Sequence, residues 1–184
     1  EKVVGFVGGK RTPLIEKFEA GFKFGVQQVD EDIEVRAAYA GAWSDPGKGK
    51  SIANSMMDGG ADVLYHAAGG SGAGMIEAAQ SRGRLAIGVD ARQSETLSEY
   101  ADVILGSMLK QVDQAVLETV SNVANDEFAG GETITLGLAE EGAKLVYGSE
   151  IGDDIPQEIK DEVETRSQEV TNGNLTVPSS LDGL

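Results

Sequence analysis

Residues 62–79 read DVLYHAAGGSGAGMIEAA, and this stretch decides the fold that we predict. Val63, Leu64 and Tyr65 form an apolar run that predicts a buried strand, and the glycine-dense turn GGSGAG follows at 69–74. The turn opens an alanine-rich segment, which is typical of a helix. Glycine lets backbone N–H groups approach a bound molecule, and a helix N-terminus adds partial positive charge. We therefore expect a ligand site at this turn, beyond the carboxyl end of the strand.

The alternation of strand and helix continues on both sides of this stretch. Thr12-Pro13 and Asp45-Pro46 each fit a helix start, with a capping side chain followed by proline in the first turn. The sequence therefore predicts an α/β fold with a doubly wound, mostly parallel sheet and right-handed crossovers. Strands are expected at 2–7, 33–40, 63–65, 85–89, 103–105, 134–138, 145–147 and 175–177, and helices at 13–29, 46–58, 111–128, 156–171 and after the glycine turn.

Composition limits the class of function. With 184 residues, of which 40% are hydrophobic, the chain suits a single α/β domain. The net charge of −16 argues against nucleic acid and anionic membranes as partners, because each phosphate contact needs a cation. The absence of cysteine excludes disulfides, zinc–thiolate sites and thiol catalysis within this sequence. No apolar run reaches the roughly 18 residues of a membrane span, and we expect neither a metal nor a cofactor.

Residues at four predicted strand ends suit a sugar that carries a flat ring. Trp43 follows the second strand, Gly69 and Gly70 the third, Asp90 the fourth and Lys110 the fifth. An indole stacks on a flat ring, a carboxylate accepts hydrogen bonds from two hydroxyl groups, and an ammonium donates hydrogen bonds to oxygens. Taken singly, the tryptophan also fits a rim position, the aspartate a turn cap and the lysine a solvated charge. We expect all five residues on one rim.

Five segments, taken in order, make the sequence resemble a known family. They are GFVGG at 5–9, YAGAWSDPGKGK at 39–50, HAAGGSG at 66–72, IGVD at 87–90 and SMLKQVD at 107–113. Together they resemble the basic membrane protein family, the purine-nucleoside-receptor type of ABC-transporter solute-binding lipoproteins. The resemblance covers nearly the whole chain, but only the second half of a family member.

The resemblance implies that residues 1–184 form one lobe of a type I periplasmic-binding-protein fold, which closes with a second lobe on a nucleoside. It assigns base stacking to Trp43 and contacts with the ribose hydroxyls to Gly69, Asp90 and Lys110. It further implies an ABC permease as partner. The full-length parent is expected at the extracellular face of the cell membrane or in the periplasm, held by a lipid anchor.

The segment at 111–130 is expected to face the lobe that this chain lacks. Its apolar stripe consists of Val112, Val116, Val120 and Val123. Without that lobe, we expect the stripe to pair with a second copy of the chain, which would give a homodimer.

Single motifs in the sequence also fit other interpretations. The glycines at 69–74 fit a dinucleotide fingerprint poorly, because that motif needs G-x-G-x-x-G after the first strand. A tight turn without a ligand fits the same glycines. His66, the only histidine, is interpreted as a structural residue, without an obvious second metal ligand. The acidic runs at 30–32 and 153–154 lack the EF-hand spacing and are interpreted as solvated turns.

Three functions remain open from the sequence. The first is the solute-binding component of an ABC importer, without any reaction. The second is a sensory module that recognises the same kind of small molecule for a signalling partner. The third is an enzyme that processes nucleosides or sugars, with Asp90 as its base. The enzyme is disfavoured, because no second carboxylate, metal cluster or activated nucleophile accompanies the turn.

Overall fold

The computed structural model describes residues 2–184 and builds them around one six-stranded sheet. The strands are β1 (Val3–Gly8), β2 (Glu34–Tyr39), β3 (Val63–Ala67), β4 (Leu85–Asp90), β5 (Ile104–Lys110) and β6 (Ala143–Tyr147). The helices are α1 (Pro13–Val29), α2 (Pro46–Asp58), α3 (Gly70–Ser81), α4 (Gln93–Thr96), α5 (Val112–Ala124) and α6 (Gln157–Thr171), with a 3-10 helix at Ser98–Val103.

The strand order in the sheet is β2-β1-β3-β4-β5-β6. The first five strands pair in parallel, and β6 alone runs antiparallel to its neighbour β5. This arrangement confirms the prediction of a doubly wound, mostly parallel sheet. Gly8 is in register with both Tyr39 and Ala67, and Asp90 is in register with Leu109. The five parallel strands therefore end at one side of the sheet, which we call the carboxyl edge.

Helices cover both faces of the sheet. On one face, Leu64 packs in a cluster with Met75 and Ile76 of α3, and all three side chains are fully buried. On the other face, Phe22 of α1 packs against Tyr65, with ring centroids 5.3 Å apart, and against the fully buried Phe6. Burying an apolar side chain of this size contributes about 1.5–3 kcal/mol to folding. Because both clusters pack on the same sheet, they fix the positions of the strand ends relative to one another.

The predicted helix starts are confirmed by their caps. Thr12 Oγ1 accepts a hydrogen bond from the Ile15 N–H at 3.4 Å, where α1 begins. Asp45 Oδ1 accepts one from the Lys48 N–H at 2.8 Å, where α2 begins. In both helices a proline occupies the first turn, where a missing N–H costs little. The capping side chains thus determine where the helices after β1 and β2 begin.

Two of the expected strands are wrong. Residues 134–138 and 175–177 have no strand structure, although both are apolar. An apolar run forms a strand only where a neighbouring strand satisfies its backbone groups, and neither segment pairs with a strand of this sheet. The sequence also missed α4 and the 3-10 helix after β4, and α5 ends at Ala124 instead of 128.

Helix α5 lies outside both clusters. None of its described residues is buried, and its apolar side chains are 55–62% exposed, namely Val112, Val116, Leu117, Val120 and Val123. The apolar stripe that the sequence predicted is thus open on the surface of this chain. Among residues 2–184, no helix combines the length and the apolar character that crossing a bilayer requires.

Candidate binding site

Asp90 and Lys110 form an ion pair at the carboxyl edge. Lys110 Nζ lies 2.8 Å from Asp90 Oδ1, and the two side chains are 41% and 54% exposed. The same Nζ lies 4.8 Å from the ring centroid of Phe18 in α1, a distance typical of a cation–π contact. A pair this exposed contributes only about 0–1 kcal/mol to stability. Both charged groups therefore remain open to a polar ligand.

Trp43 lies across the end of β1. A Cβ atom at Gly9 would sit 2.3 Å from indole ring atoms, so only glycine lets the ring approach the backbone this closely. The Trp43 carbonyl accepts a hydrogen bond from the Ser71 N–H at 3.2 Å, in the first turn of α3. Ser71 Oγ accepts a second one from the Asp45 N–H at 2.9 Å. These bonds fasten the tryptophan loop to α3, while the side chain stays 40% exposed.

At four positions in the segment 69–74, glycine allows a close backbone contact that a side chain would prevent. Gly69 has a φ of 55°, and a Cβ there would lie 3.0 Å from the Trp43 carbonyl oxygen. The corresponding distance at Gly70 is 3.3 Å. Further along, a Cβ at Gly72 would lie 2.0 Å from His66 Nδ1, and one at Gly74 would lie 1.8 Å from the Pro46 carbonyl oxygen. The tight-turn alternative accounts for these glycines, and a ligand contact at Gly69 and Gly70 stays a prediction.

The five residues predicted for the site lie at one edge of the sheet, in two groups. Trp43 contacts Gly69 and Gly70 beyond the ends of β1 and β3, and Asp90 contacts Lys110 at the ends of β4 and β5. The strands β3 and β4 are neighbours, which makes the two groups adjacent along the carboxyl edge. Two large cavities, of about 720 and 620 Å³, lie against α6. None of the five predicted site residues is among their described lining residues.

A buried polar cluster lies behind the ion pair, and sequence reasoning found only its histidine. His66 is fully buried, and its Nε2 lies 2.8 Å from Gln93 Oε1. The Gln93 N–H in turn donates to Ser107 Oγ at 3.1 Å. Gln93 carried no signal in the sequence, because isolated polar residues near a strand end are common. Ser107 begins the segment at 107–113 that indicated the family, but the sequence predicted no role for it. Among the described residues, no group of three or more potential metal ligands occurs.

Burial lowers the pKa of His66, against smaller opposing effects of the Gln93 hydrogen bond and the Asp90 charge. The unfolded chain binds a proton near pH 6.5, while the folded chain resists it, so stability falls as the pH drops below about 6.5. We expect this contribution to reach at most about 1.4 kcal/mol per pH unit. Urea unfolding at about pH 7.5 and about pH 5.5 should show the loss in the wild type but not in His66→Gln. Equal pH dependence in both proteins would contradict a neutral buried imidazole.

A buried carboxylate lies near the end of β2. Glu19 is 3% exposed, and its carboxylate accepts a short hydrogen bond from the Tyr39 hydroxyl and lies 2.7 Å from Lys23 Nζ. Burial, with the hydrogen bond to this carboxylate, raises the pKa of the Tyr39 hydroxyl. The Arg11 guanidinium lies 5.6 Å from the tyrosine ring centroid. The carboxylate is thus engaged by a phenol and an ammonium, as in a structural ion pair rather than in a general base.

The comparison with known families decides the identity. A family model described as "ABC transporter substrate-binding protein PnrA-like" matches residues 1–180. The chain belongs to the Bmp family. This match confirms the resemblance to the basic membrane proteins that the five sequence segments indicated. The Bmp family is a family of substrate-binding proteins.

Curated relatives agree with membership of the Bmp family. The chain is 36% identical to the CD4+ T-cell-stimulating antigen of Listeria monocytogenes over 188 residues, which cover 95% of this chain and 52% of that protein. It is 34% identical to the ABC transporter nucleoside-binding protein BmpA of Lactococcus lactis, with 96% and 53% covered. The chain spans about half the length of the curated relatives it matches.

Solved structures agree on the fold. A solute-binding protein of an ABC transporter system from Aeropyrum pernix superposes with a TM-score of 0.82 at 27% identity, covering all of this chain and 59% of that one. A transcriptional activator of the comK gene from Bacillus halodurans superposes with a TM-score of 0.81 at 20% identity, covering 95% and 58%. The Bmp-family chain therefore has the fold of periplasmic binding proteins.

Proposed function

We propose that this chain supplies the ribose-binding part of a nucleoside receptor that serves an ABC importer. The observation that carries the proposal is the Asp90–Lys110 pair, 2.8 Å apart and partly exposed at the carboxyl edge. Ligands of open α/β sheets bind beyond this edge. The name of the Lactococcus lactis relative, a nucleoside-binding protein 34% identical to this chain, supports the choice of ligand.

The chemistry of the pair suits a vicinal diol. The Asp90 carboxylate can accept hydrogen bonds from two adjacent hydroxyl groups, because each of its oxygens has free lone pairs. Lys110 donates to a hydroxyl or ring oxygen and keeps the local charge balanced. Its position above the Phe18 ring, at 4.8 Å, restricts where the ammonium can move. Charge-assisted hydrogen bonds of this kind contribute roughly 1.5–3 kcal/mol each.

Trp43 is the proposed platform for the base. Its indole is 40% exposed, and its backbone is fastened to α3 through Ser71. Stacking of aromatic rings contributes about 0.5–1.5 kcal/mol beyond the area that is buried. In this proposal a second lobe supplies the opposite wall, so the chain alone stacks the base on one side and binds weakly.

Transport, without a reaction, is the proposed outcome of binding. Contacts with the ligand favour the closed arrangement of two lobes, and a permease recognises that arrangement. The proposed location is the extracellular face of the cell membrane or the periplasm, with a lipid anchor on the full-length protein. An enzymatic role lacks support, because the family to which this chain belongs is one of substrate-binding proteins.

Calorimetry on the full-length protein tests the proposal. We expect inosine and guanosine to bind, free ribose to bind more weakly, and the nucleosides to be recovered intact afterwards. Release of free base would establish the enzyme instead. Absence of binding to every purine and pyrimidine nucleoside would overturn the assignment.

We further infer that the open stripe of α5 pairs with a second copy when this chain is isolated. The exposed valines of one helix face would be covered in a symmetric contact. Light scattering should give the mass of a dimer at high protein concentration, and Val116→Glu with Val120→Glu should give a monomer. Ser121→Glu, on another face of α5, is the matched control and should remain dimeric. A monomer at all concentrations would contradict the pairing.

A further inference from the structure

Asp90 occupies an unusual backbone conformation. Its φ is 69°, in the left-handed region that favours glycine, and the Ala91 N–H donates to the Val89 carbonyl at 2.8 Å. A hydrogen bond between residues two apart around a positive φ defines a γ-turn of the rare, strained kind. Such a conformation persists only where the surrounding structure holds it in place. The pairing with Lys110 is too exposed to do so alone.

Gln93 ties the two sides of this turn together. Its side-chain Oε1 accepts the N–H of Val89, just before Asp90, at 3.0 Å. Its own backbone N–H, just after the turn, donates to Ser107 Oγ on β5 at 3.1 Å. A Cβ at Gly88 would lie 2.5 Å from Ser107 Oγ and 2.7 Å from Gln93 Oε1, so the cluster also depends on a glycine in β4.

The Val89 N–H assigns the orientation of the Gln93 amide and, through it, the tautomer of His66. Since the Val89 N–H can only donate, the atom it meets must be the amide oxygen, and this assigns the Gln93 side chain. His66 Nε2, 2.8 Å from that oxygen, therefore carries the proton and donates. Nδ1 is then the unprotonated nitrogen. It is buried, has no hydrogen-bond partner among the described residues, and faces Gly72 in the first turn of α3.

We propose that His66 and Gln93 are positioning residues, which act through the backbone of Val89 to hold the Asp90 carboxylate where it meets the ligand. The part of this inference that concerns ligand affinity rests on the proposed function. The hydrogen bonds of the cluster converge on the turn from both sides, and they join β3, β4 and β5. Through these hydrogen bonds, three strands of the sheet together hold the exposed Asp90 carboxylate in its orientation.

Matched variants separate this role from general packing. His66→Gln keeps a donor for Gln93 Oε1, whereas His66→Met has a similar volume and no donor. Ser94→Ala is the control, because Ser94 Oγ accepts a buried hydrogen bond from the Ser149 N–H at 3.1 Å, next to Gln93 but without a link to the turn. Ser107→Ala removes the acceptor of the Gln93 N–H. If the His66→Met variant does not fold, Ser107→Ala takes its place in the test.

The first readout needs no ligand. We expect amide hydrogen exchange of Val89, followed by NMR, to be about tenfold faster in His66→Met than in the wild type. His66→Gln and Ser94→Ala should exchange like the wild type at this amide. Unchanged exchange of Val89 in His66→Met would overturn the proposal, whatever the protein binds.

The second readout is the affinity of the full-length protein for inosine. We expect the dissociation constant to rise about tenfold in His66→Met and to stay within twofold of the wild type in His66→Gln and Ser94→Ala. If His66→Met lowers the melting temperature as Ser94→Ala does, yet binds inosine as the wild type does, the positioning role is rejected. Failure of the wild type to bind any nucleoside rejects the proposed function, and the exchange of Val89 then decides the positioning role by itself.

Discussion

Gly74→Ala is expected to destabilise the chain by about 3 kcal/mol or more, the upper end of what overpacking costs. A Cβ at this position would lie 1.8 Å from the carbonyl oxygen of Pro46 and 2.6 Å from its carbonyl carbon. Both atoms belong to the backbone of α2, so no side-chain rotation relieves the clash. The reciprocal contact, at Gly49, places a Cβ 1.9 Å from the carbonyl oxygen of Ser71. The helices α2 and α3 would have to move apart.

The separation of these helices also affects the candidate site. Ser71, at the start of α3, donates its N–H to the Trp43 carbonyl, and its Oγ accepts the N–H of Asp45. Moving α3 away from α2 stretches these bonds. The tryptophan loop is therefore expected to loosen in Gly74→Ala, which tryptophan fluorescence measures directly, because Trp43 is the only tryptophan.

Gly25→Ala is the matched control for this prediction. Gly25 also lies inside a helix, α1, but no described heavy atom is found within 4 Å of a Cβ added there. Alanine should stabilise the protein by about 0.5–1 kcal/mol, since glycine loses more backbone entropy on folding. Urea unfolding followed by circular dichroism measures both variants. Similar midpoints for the two would contradict the close contact between α2 and α3.

Asp90→Ala is expected to have the largest effect on ligand binding. In the full-length protein it removes two proposed contacts with ribose hydroxyls, each worth roughly 1.5–3 kcal/mol, so the dissociation constant for inosine rises at least about a hundredfold. The loss of the exposed pair with Lys110 should cost folding stability no more than about 1 kcal/mol. The variant is therefore expected to remain folded, and calorimetry then reports binding alone.

Asp32→Ala provides the comparison for Asp90→Ala. Its carboxylate is 84% exposed and precedes β2, at the opposite end of the sheet from the carboxyl edge. Removing it changes the net charge by the same amount, which controls for the general electrostatic effect in this acidic protein. Inosine affinity should be unchanged in Asp32→Ala. Equal affinities in Asp90→Ala and the wild type would refute the role proposed for Asp90.

The sequence indicated the fold through local patterns. Apolar runs predicted the five parallel strands, and the caps Thr12 and Asp45 predicted where α1 and α2 begin. The same patterns failed at 134–138 and 175–177, because an apolar run becomes a strand only beside another strand. The sequence predicted β6 as a strand, but its antiparallel direction depends on the path of the chain after α5.

The amino-acid sequence was enough to predict the order of the five parallel strands, the family, and the edge of the sheet on which Trp43, Asp90 and Lys110 lie. These follow from residues close together in the chain, because a strand, its turn and the next helix are encoded by their own periodicity and caps. Only the tertiary structure decided that Phe18 lies under the ammonium of Lys110 and that His66 reaches Gln93, 27 positions away. Such contacts depend on how distant segments pack, and no local pattern specifies that.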